Sequence, residues 1–460
     1  MINPRLLLAI LTGKLTALAI KLSKKSGGTA LPGLLTLKIE PDFLAKLANS
    51  FPSIVISGTN GKTTTARIIS SILEEKKLNI IHNRAGSNLE RGIVSTLLKH
   101  SSLFGHVQAD FGLWETDEAA LPKILAKVKP RVIILTNLFR DQLDRYGEVD
   151  TLRKNWLTAL KKLSGKTTIV LNADDPGIAH LGHNLNCQVI YFGLEDKNVC
   201  QGDLSRSADT KYCAYCTTPL TFEIVFASHL GKYFCPKCQK RRPETQVFAQ
   251  NIKLQGAEES KLSLFLNNHH LPITFQAGGL YNIYNLLAAA AVASALKIPD
   301  NQIKNGIEKF TTAFGRIEKI EIEGKKIFLF LVKNPTGFNE VIRTIFADPK
   351  PKKILIAVND LIADGRDISW LWDVDFEKLV GKISLAVISG TRAKDMNLRL
   401  KYAGVKSKTW EIDNLKKAIH MAIKQTKKGE SIYFLPTYTA MLETKKILAQ
   451  MGHTESFWEN

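Results

Sequence analysis

Acidic side chains are under-represented in this chain. Its 460 residues carry 43 Asp and Glu against 63 Lys and Arg, a formal net charge of +20. That balance excludes an anion-repelling surface and suits an anionic partner: a nucleotide, a nucleic acid or an acidic membrane. Cysteine is scarce too, and six residues are too few for a disulfide scaffold. No clean apolar run of about 20 residues occurs, so no membrane-spanning helix is expected. The N-terminal stretch Leu6–Leu22 is apolar but interrupted by Lys14 and Lys21, which rules out a secretory signal as well. It fits an amphipathic helix that packs on the protein or rests against a membrane interface, packing being the favoured of the two. Internal repeats and low-complexity segments are missing. What remains, at 45% apolar and 23% charged residues, is an ordinary globular chain with room for two or three domains.

The stretch that organises the rest is Ile54-Val55-Ile56-Ser57-Gly58-Thr59-Asn60-Gly61-Lys62-Thr63-Thr64-Thr65. A β-branched apolar run enters a glycine-bearing turn, and a helical pattern follows from about Ala66 to Glu75. Strand, loop, helix is the order a phosphate cradle needs. The glycines let backbone N–H groups close around an anion, and the helix N-terminus adds partial positive charge. Lys62 is expected to reach the β- and γ-phosphates and Thr63 to hold a magnesium ion. The bland alternative is a tight βα turn that happens to contain Gly-Lys-Thr.

From about 50 to 200, short apolar runs alternate with helical patterns. The predicted strands are Ile54–Ile56, Phe111–Trp114, Val132–Leu135, Thr168–Leu171 and Val189–Phe192. That alternation implies an α/β fold with a parallel sheet, whose ligands bind at the carboxyl ends of the strands. Those ends carry Glu115-Thr116-Asp117-Glu118, Thr136-Asn137 with Asp141 and Asp144, and Asn172-Ala173-Asp174-Asp175-Pro176. Their shared position beside the cradle marks Glu115 as a second magnesium ligand.

Between about 205 and 245, Cys213-Ala214-Tyr215-Cys216 and Cys235-Pro236-Lys237-Cys238 stand eighteen residues apart. Two such knuckles form a four-thiolate zinc site in a reducing compartment. Four protein ligands leave no open coordination position, so the zinc is expected to be structural. The competing reading is a pair of free or redox dithiols. Residues 248 to 277 alternate as in a hairpin, and Gly279 to Asn285 open a long Ala-rich helix. Asn282 and Asn285 lie one turn apart on it, well placed to read a base edge; an N-cap is the plain alternative for Asn282. Beyond a boundary near 315–320 the pattern alternates again, predicting a second, smaller parallel-sheet domain. Its loops carry Lys333-Asn334-Pro335 and the run Asn359 to Asp367.

Gly58-Thr59-Asn60-Gly61-Lys62-Thr63-Thr64 resembles the nucleotide loop of the Mur ligase family. Thr136-Asn137 with Asp141 and Asp144 resembles that family's T-N-x-x-x-D-H-L-D segment, and Asn172 to Pro176 its N-A-D-D-P. Asn282 and Asn285 match its H-N-x-x-N adenine contacts, and Arg316 its phosphate-contacting arginine. Gln142 and Lys333 depart from the histidines usual in the amino-acid-adding members, and no residue matches their carbamoylated lysine. With the cradle near residue 57, the family's UDP-binding domain is expected to be lacking. That feature, the ribbon and the Asp-rich C-terminal loop resemble the amidating MurT branch.

The resemblance implies three parts: an N-terminal helix and connector (1–49), a central ATP-binding domain with the inserted ribbon (50–315), and a C-terminal α/β domain that meets a partner (316–460). It implies ATP, magnesium and structural zinc, with Gly58 to Thr64, Asn282, Asn285 and Arg316 on the nucleotide. It implies ligation by way of an acyl phosphate on the D-glutamate α-carboxyl of lipid II, in peptidoglycan synthesis. The site would be cytoplasmic, peripheral to the membrane, without nucleic acid. Ammonia would come from a GatD-like glutaminase subunit, whose Cys–His pair would be completed by Asp360, Asp364 or Asp367. The rival readings are an amino-acid-adding relative such as folylpolyglutamate synthase, and a zinc-ribbon nucleic-acid-binding ATPase.

Overall fold

The computed structural model describes residues 3–22, 30–83, 87–140, 149–202, 204, 208–310, 317–348 and 350–452. Two N-terminal helices, α1 (Pro4–Leu22) and α2 (Leu31–Ile39), pack on each other and on the helix Glu90–His100. The first sheet then collects β1 (Ser53–Ser57), β2 (Ile80–His82), β3 (Phe111–Glu115), β4 (Pro130–Leu135), β5 (Thr168–Asn172) and β6 (Gln188–Leu194). All six run parallel.

The period of two along these strands divides the interior into two cores. Ile54, Ile56, Leu113, Val132, Ile134 and Val170 belong to one, and Val55, Trp114, Ile133, Leu135, Ile169 and Leu171 to the other. Helix α3 (Lys62–Glu75) follows β1 directly and starts at Lys62, four residues before the sequence-based estimate. The loop therefore ends on the helix's first turn.

A hairpin, β7 (Thr221–Ala227) and β8 (Leu230–Phe234), leads into the second cysteine pair. The hairpin expected over 248–277 is instead a three-stranded meander, β9 (Val247–Gln255), β10 (Glu259–Leu266) and β11 (His269–Phe275). Because β9 also pairs in parallel with β6, the meander extends the sheet to nine strands, in the order β11-β10-β9-β6-β5-β4-β1-β3-β2. Helix α4 (Leu280–Ala295) crosses one face of it. Residues Leu286 to Val292 are fully buried there, and the small Ala288 to Ala291 let the helix lie close to the strands.

The second sheet holds β12 (Ile317–Ile322), β13 (Lys325–Phe330), β14 (Lys352–Ala357), β15 (Ile383–Ser389), β16 (Lys408–Glu411) and β17 (Ser431–Pro436), in the order β12-β13-β17-β14-β15-β16. Its pairs are parallel except β12 with β13. Helix α5 (Pro335–Ile345) leaves the end of β13 through Lys333 and Asn334, which brings the loop after β13 to the cradle.

Candidate active site

Gly58 and Gly61 have φ of +139° and +90°, backbone that an L side chain rarely adopts. Space is as restrictive as conformation. A Cβ on Gly58 would lie 2.1 Å from the Thr136 hydroxyl, and one on Gly61 would lie 2.0 Å from Asn285 Oδ1. The loop is thus closed down on β4's end and on α4 at once.

Asn60, between the glycines, is held through its backbone N–H, its carbonyl and its side-chain oxygen. Its N–H donates to Asn137 Oδ1 (2.9 Å), and its carbonyl accepts from Asn137 Nδ2 (3.0 Å) and from the Thr136 hydroxyl (3.0 Å). Its side-chain oxygen accepts from Asn334 Nδ2 at 3.2 Å. Thr59 exchanges hydrogen bonds with the Phe139 backbone, and its carbonyl accepts from Lys333 Nζ at 3.4 Å. Thr136 and Asn137 therefore shape the loop from below, while Lys333 and Asn334 reach it from the second sheet.

The Lys62 ammonium is buried, donating to the Gly58 carbonyl and pairing with Glu118 Oε1 at 3.1 Å. This positions the charge beside the N-terminus of α3, where an anion would sit. The Thr63 hydroxyl donates to Glu115 Oε2 at 2.7 Å, so the hydroxyl and carboxylate expected to share a magnesium ion are adjacent. Hard oxygen donors of this kind suit that ion, and Thr63 and Glu115 would hold it. Glu115 Oε1 contacts His82 Nε2 at 2.9 Å, and His82 Nδ1 is buried without a hydrogen-bond partner among the described residues.

On α4, Asn285 Nδ2 donates to Asn282 Oδ1 (3.3 Å) and Asn282 Nδ2 to the Gly278 carbonyl (2.7 Å). Asn285 joins Asn60, Gly61, Asn137, Phe139, Tyr284, Lys333 and Glu340 around a cleft of about 70 Å³ between the sheets. Glu340 also borders a second cavity of about 520 Å³ that reaches Val199 and Arg343. Burial raises its pKa, Arg343 and Lys378 oppose that, and its Oε2 has no hydrogen-bond partner among the described residues.

The two carboxylates of the Asn172–Pro176 run face inward. Asp175 caps the helix Pro176–His180, accepting from Gly177 N (2.9 Å) and Ile178 N (3.1 Å), and also accepts from Leu138 N (3.1 Å). Asp174 accepts from Leu194 N (2.8 Å), the Tyr284 hydroxyl (2.7 Å) and Arg242 Nε (2.5 Å). Arg242 also pairs with Glu195 at 2.7 Å. Burial would lower the pKa of this guanidinium, but Asp174 and Glu195 outweigh it and raise the value. Burial raises the pKa of Asp174, and Arg242, the Tyr284 hydroxyl and Leu194 N oppose that rise, so Arg242 is the main support of a charge on this carboxylate.

The cysteine quartet converges. The four sulfurs lie within 4.8 Å of one another, with Cys213 and Cys238 Sγ 3.6 Å apart and Cys216 and Cys235 Sγ 3.4 Å apart. A tetrahedron of Zn–S bonds of about 2.3 Å has edges of roughly 3.8 Å, so the four residues fit zinc. His180 meets the Tyr215 ring edge-on at 4.4 Å, joining the knuckle to the body of the molecule.

The three C-terminal aspartates have different surroundings. Asp360 is partly exposed at the end of β14, accepting from the Thr391 hydroxyl (2.7 Å) and pairing with Arg392 (2.9 Å). The Thr391 hydrogen bond, followed by Arg392, holds its carboxyl below the usual range despite some desolvation. Asp364 is buried, with both oxygens taken by the Thr439 N–H and hydroxyl. Asp367 is exposed and accepts from Ser369 N at 2.8 Å. Arg316, Asp141, Gln142 and Asp144 lie outside the described residues.

Four residues at or beside the loop and the cleft escaped the sequence-based assignment. His82 ends a strand of only three residues, too short for a periodic signal. Glu118 stood in the acidic cluster without a reason to single it out. Asn334 and Glu340 act at a site some 200 residues or more away in sequence, and only the fold brings them there.

A family model described as the Mur ligase middle domain matches residues 56–236, and one described as MurT ligase C-terminal matches residues 331–441. Among solved structures, a pseudomurein peptide ligase type C from Methanothermus fervidus superposes with a TM-score of 0.70 at 22% identity, over 89% of this chain and 80% of that one. The Mycobacterium tuberculosis folylpolyglutamate synthase gives 0.63 at 13% identity, over 97% and 100%. These two share the fold. In sequence, the chain is 34% identical to the lipid II isoglutaminyl synthase (glutamine-hydrolyzing) subunit MurT of Staphylococcus aureus (strain COL), over 85% of this chain and 87% of that protein. It is 33% identical to the subunit of the same name from Streptococcus pneumoniae (strain ATCC BAA-255 / R6), over 93% and 94%. With that identity held over nearly the whole of both chains, and with an ATP-dependent ligase's loop built as described, the chain belongs to the MurT family of Mur ligases.

Proposed function

We propose that this chain is the ligase subunit of a two-subunit enzyme that amidates the α-carboxyl of D-glutamate in the stem peptide of lipid II. The observation that carries the reading is the loop gripped from both sheets, with Lys62 and the Thr63–Glu115 pair at its mouth. A carboxylate is a poor electrophile, so it must be activated. Its oxygen attacks the γ-phosphorus of ATP, an O–P bond forms, and ADP leaves. Ammonia nitrogen then attacks the acyl carbon; the C–O bond to phosphate breaks, and the proton shed by nitrogen leaves with phosphate. Lys62 and the first turn of α3 stabilise charge on the transferring group, and Asn285, which lines the cleft, contacts the base, while Asn282 is buried behind it and positions its side chain. Thr63 and Glu115 would hold a magnesium ion, which would neutralise the phosphates further. In the same reading Arg316 adds a cation, and zinc on Cys213, Cys216, Cys235 and Cys238 fastens the ribbon.

Ammonia must arrive unprotonated, which favours direct delivery from a glutaminase. Four of the six cysteines form the quartet, burial raises the thiol pKa of Cys187, against the needs of a nucleophile, and Cys200 is exposed with no side-chain base bonded to its thiol among the described residues. A GatD-like partner is therefore the proposed source. Of its three candidate contacts Asp360 is favoured, because it is anionic and accessible and stands beside Leu361 and Ile362, which are 50% and 79% exposed. Its carboxylate would orient the partner's imidazole. The proposed place of work is the cytoplasmic side of the membrane, where lipid II presents its peptide; no helix among the described residues is long and apolar enough to cross a membrane. The test is copurification with the glutaminase, then mass spectrometry of lipid II. Asp360→Asn is expected to abolish glutamine-dependent amidation and spare the reaction with free ammonium. Loss of both, or of neither, would refute the assignment of Asp360.

A further inference from the structure

Helix α1 is turned inside out. Its packed side is made of Ala9, Ile10 and Gly13, which are buried against α2 and the helix Glu90–His100. Small residues allow that close approach. The opposite side carries Leu8, Leu11, Leu15, Leu18 and Leu22, exposed by 56%, 38%, 64%, 53% and 75%. Spacings of three and four residues put all five on one stripe along the outward face. The segments packed beside α1 add more: Leu31 and Leu34 on α2, and Leu103 with Phe104 in the loop after Glu90–His100. Nine exposed large apolar side chains in one region exceed what a solvated surface carries without a partner.

The charge around this face selects the partner. Residues 1–39 hold six cations (Arg5, Lys14, Lys21, Lys24, Lys25 and Lys38) and no acidic residue; the first is Glu40. Arg5 Nε donates to the Ile39 carbonyl and Lys14 Nζ to the Leu98 and Ser101 carbonyls, which fixes these two charges along the flanks of α1. A leucine stripe flanked by cations, in a segment with no acidic residue before Glu40, matches a bilayer surface of acidic headgroups over acyl chains. A second copy would set six cations against six. The glutaminase is already placed, in the proposed function, at the Asp360 loop.

We propose that the outward leucine face of α1 docks on an anionic lipid surface, its stripe entering the interface while the exposed Arg5 and Lys21 meet the headgroups. This deepens the proposed function, because the choice of the lipid II leaflet rests on it. The dock would hold the whole chain at the surface where its substrate is anchored.

The test uses the full chain and vesicles of phosphatidylcholine with or without phosphatidylglycerol. Co-sedimentation is expected with the anionic vesicles, weakening as salt is raised and falling to background on neutral ones. Leu15→Glu/Leu18→Glu places two carboxylates on the stripe without touching the packed side. It is expected to weaken anionic binding by about a hundredfold or more, with the melting temperature and the ammonia-dependent amidation of a lipid-free substrate unchanged. Unaltered vesicle binding by that variant, or equal binding to neutral vesicles, overturns the proposal. So does a variant that loses a dimer or the glutaminase instead of the vesicle. If lipid-free amidation is absent in the wild type while vesicle binding behaves as expected, the proposed function fails and the docking face stands.

Discussion

Replacing Arg242 by methionine removes the guanidinium that joins the segment after the cysteine quartet to the sheet and to the nucleotide cleft. Its Nε lies 2.5 Å from Asp174, whose side chain is fully buried, and its Nη1 lies 2.7 Å from Glu195. The two halves are not equal. Glu195 is 21% exposed and keeps Lys232 as a partner, so its share of the loss is small. Among the described residues Asp174 keeps only the Leu194 N–H and the Tyr284 hydroxyl, and without Arg242 the burial that already raises its pKa leaves a charged carboxylate badly under-compensated. Removing one member of a buried pair costs about 3–5 kcal/mol, which at about 2–4 °C per kcal/mol for a domain of this size places the drop in melting temperature near 10 °C. Tyr284 lines the cleft and is bonded to the same carboxylate oxygen as Leu194 N, so the KM for ATP is expected to rise several-fold as well. The decisive comparison is the double variant Arg242→Met/Asp174→Asn. An amide is neutral and still accepts from Leu194 N and the tyrosine, so more than half of the lost stability should return. Calorimetry of the wild type, both single variants and the double variant reads this directly. A single-variant loss under about 1 kcal/mol, or a double variant no better than Arg242→Met, would refute the reasoning.

Three further outcomes are expected. Gly61→Ala forces a side chain into φ +90° and to within 2.0 Å of Asn285 Oδ1; at about 1–3 kcal/mol of strain it should weaken ATP binding roughly 5- to 100-fold by titration calorimetry. Unchanged affinity would mean that the loop opens freely. His180 is held neutral mainly by burial, then by Arg153, His183 and Lys161, with its pKa lowered to about 4. Its unfolded form protonates near 6.5, so the stability it contributes is complete above that pH and is lost as pH falls towards 4. His180→Phe keeps the ring against Tyr215 and should flatten the melting profile between those values; an unchanged slope counts against it. Cys235→Ser should abolish a zinc content of one ion per chain and lower the melting temperature, with chelation of the wild type matching it; a wild type purified without zinc would remove the metal from the account.

The parts read correctly from sequence were those whose chemistry is local. A β-branched run, glycines, Lys62 and a helix stand within a dozen residues, and each limits the others. The two cysteine pairs are also self-announcing, since their spacing allows few geometries. What escaped was set by long-range packing. Asn60 is contiguous with the loop, but nothing in its neighbours foretells Asn137 and Asn334 on either side of it. Asp174 looked like one more acidic group near the nucleotide; its partner Arg242 stands beyond the ribbon and turns it inward. Helix α1 is the sharpest case. Periodicity locates an apolar stripe but carries no information on what covers it, and the rule that leucines face the core fails where Ala9 and Gly13 occupy the packed side. The edge strand β2 was lost for want of length.

Asn285 occupies the volume that a side chain on Gly61 would fill, and this contact has a geometric consequence. The backbone that cradles phosphate and the helix turn that carries Asn282 touch at atomic radius, so neither can shift along the cleft without the other. The span from anion to base is then a fixed gauge cut into the protein, set by one missing methyl group. In the proposed reading, a nucleotide is measured end to end before any phosphoryl group moves, and drift at either end of the gauge is felt at both.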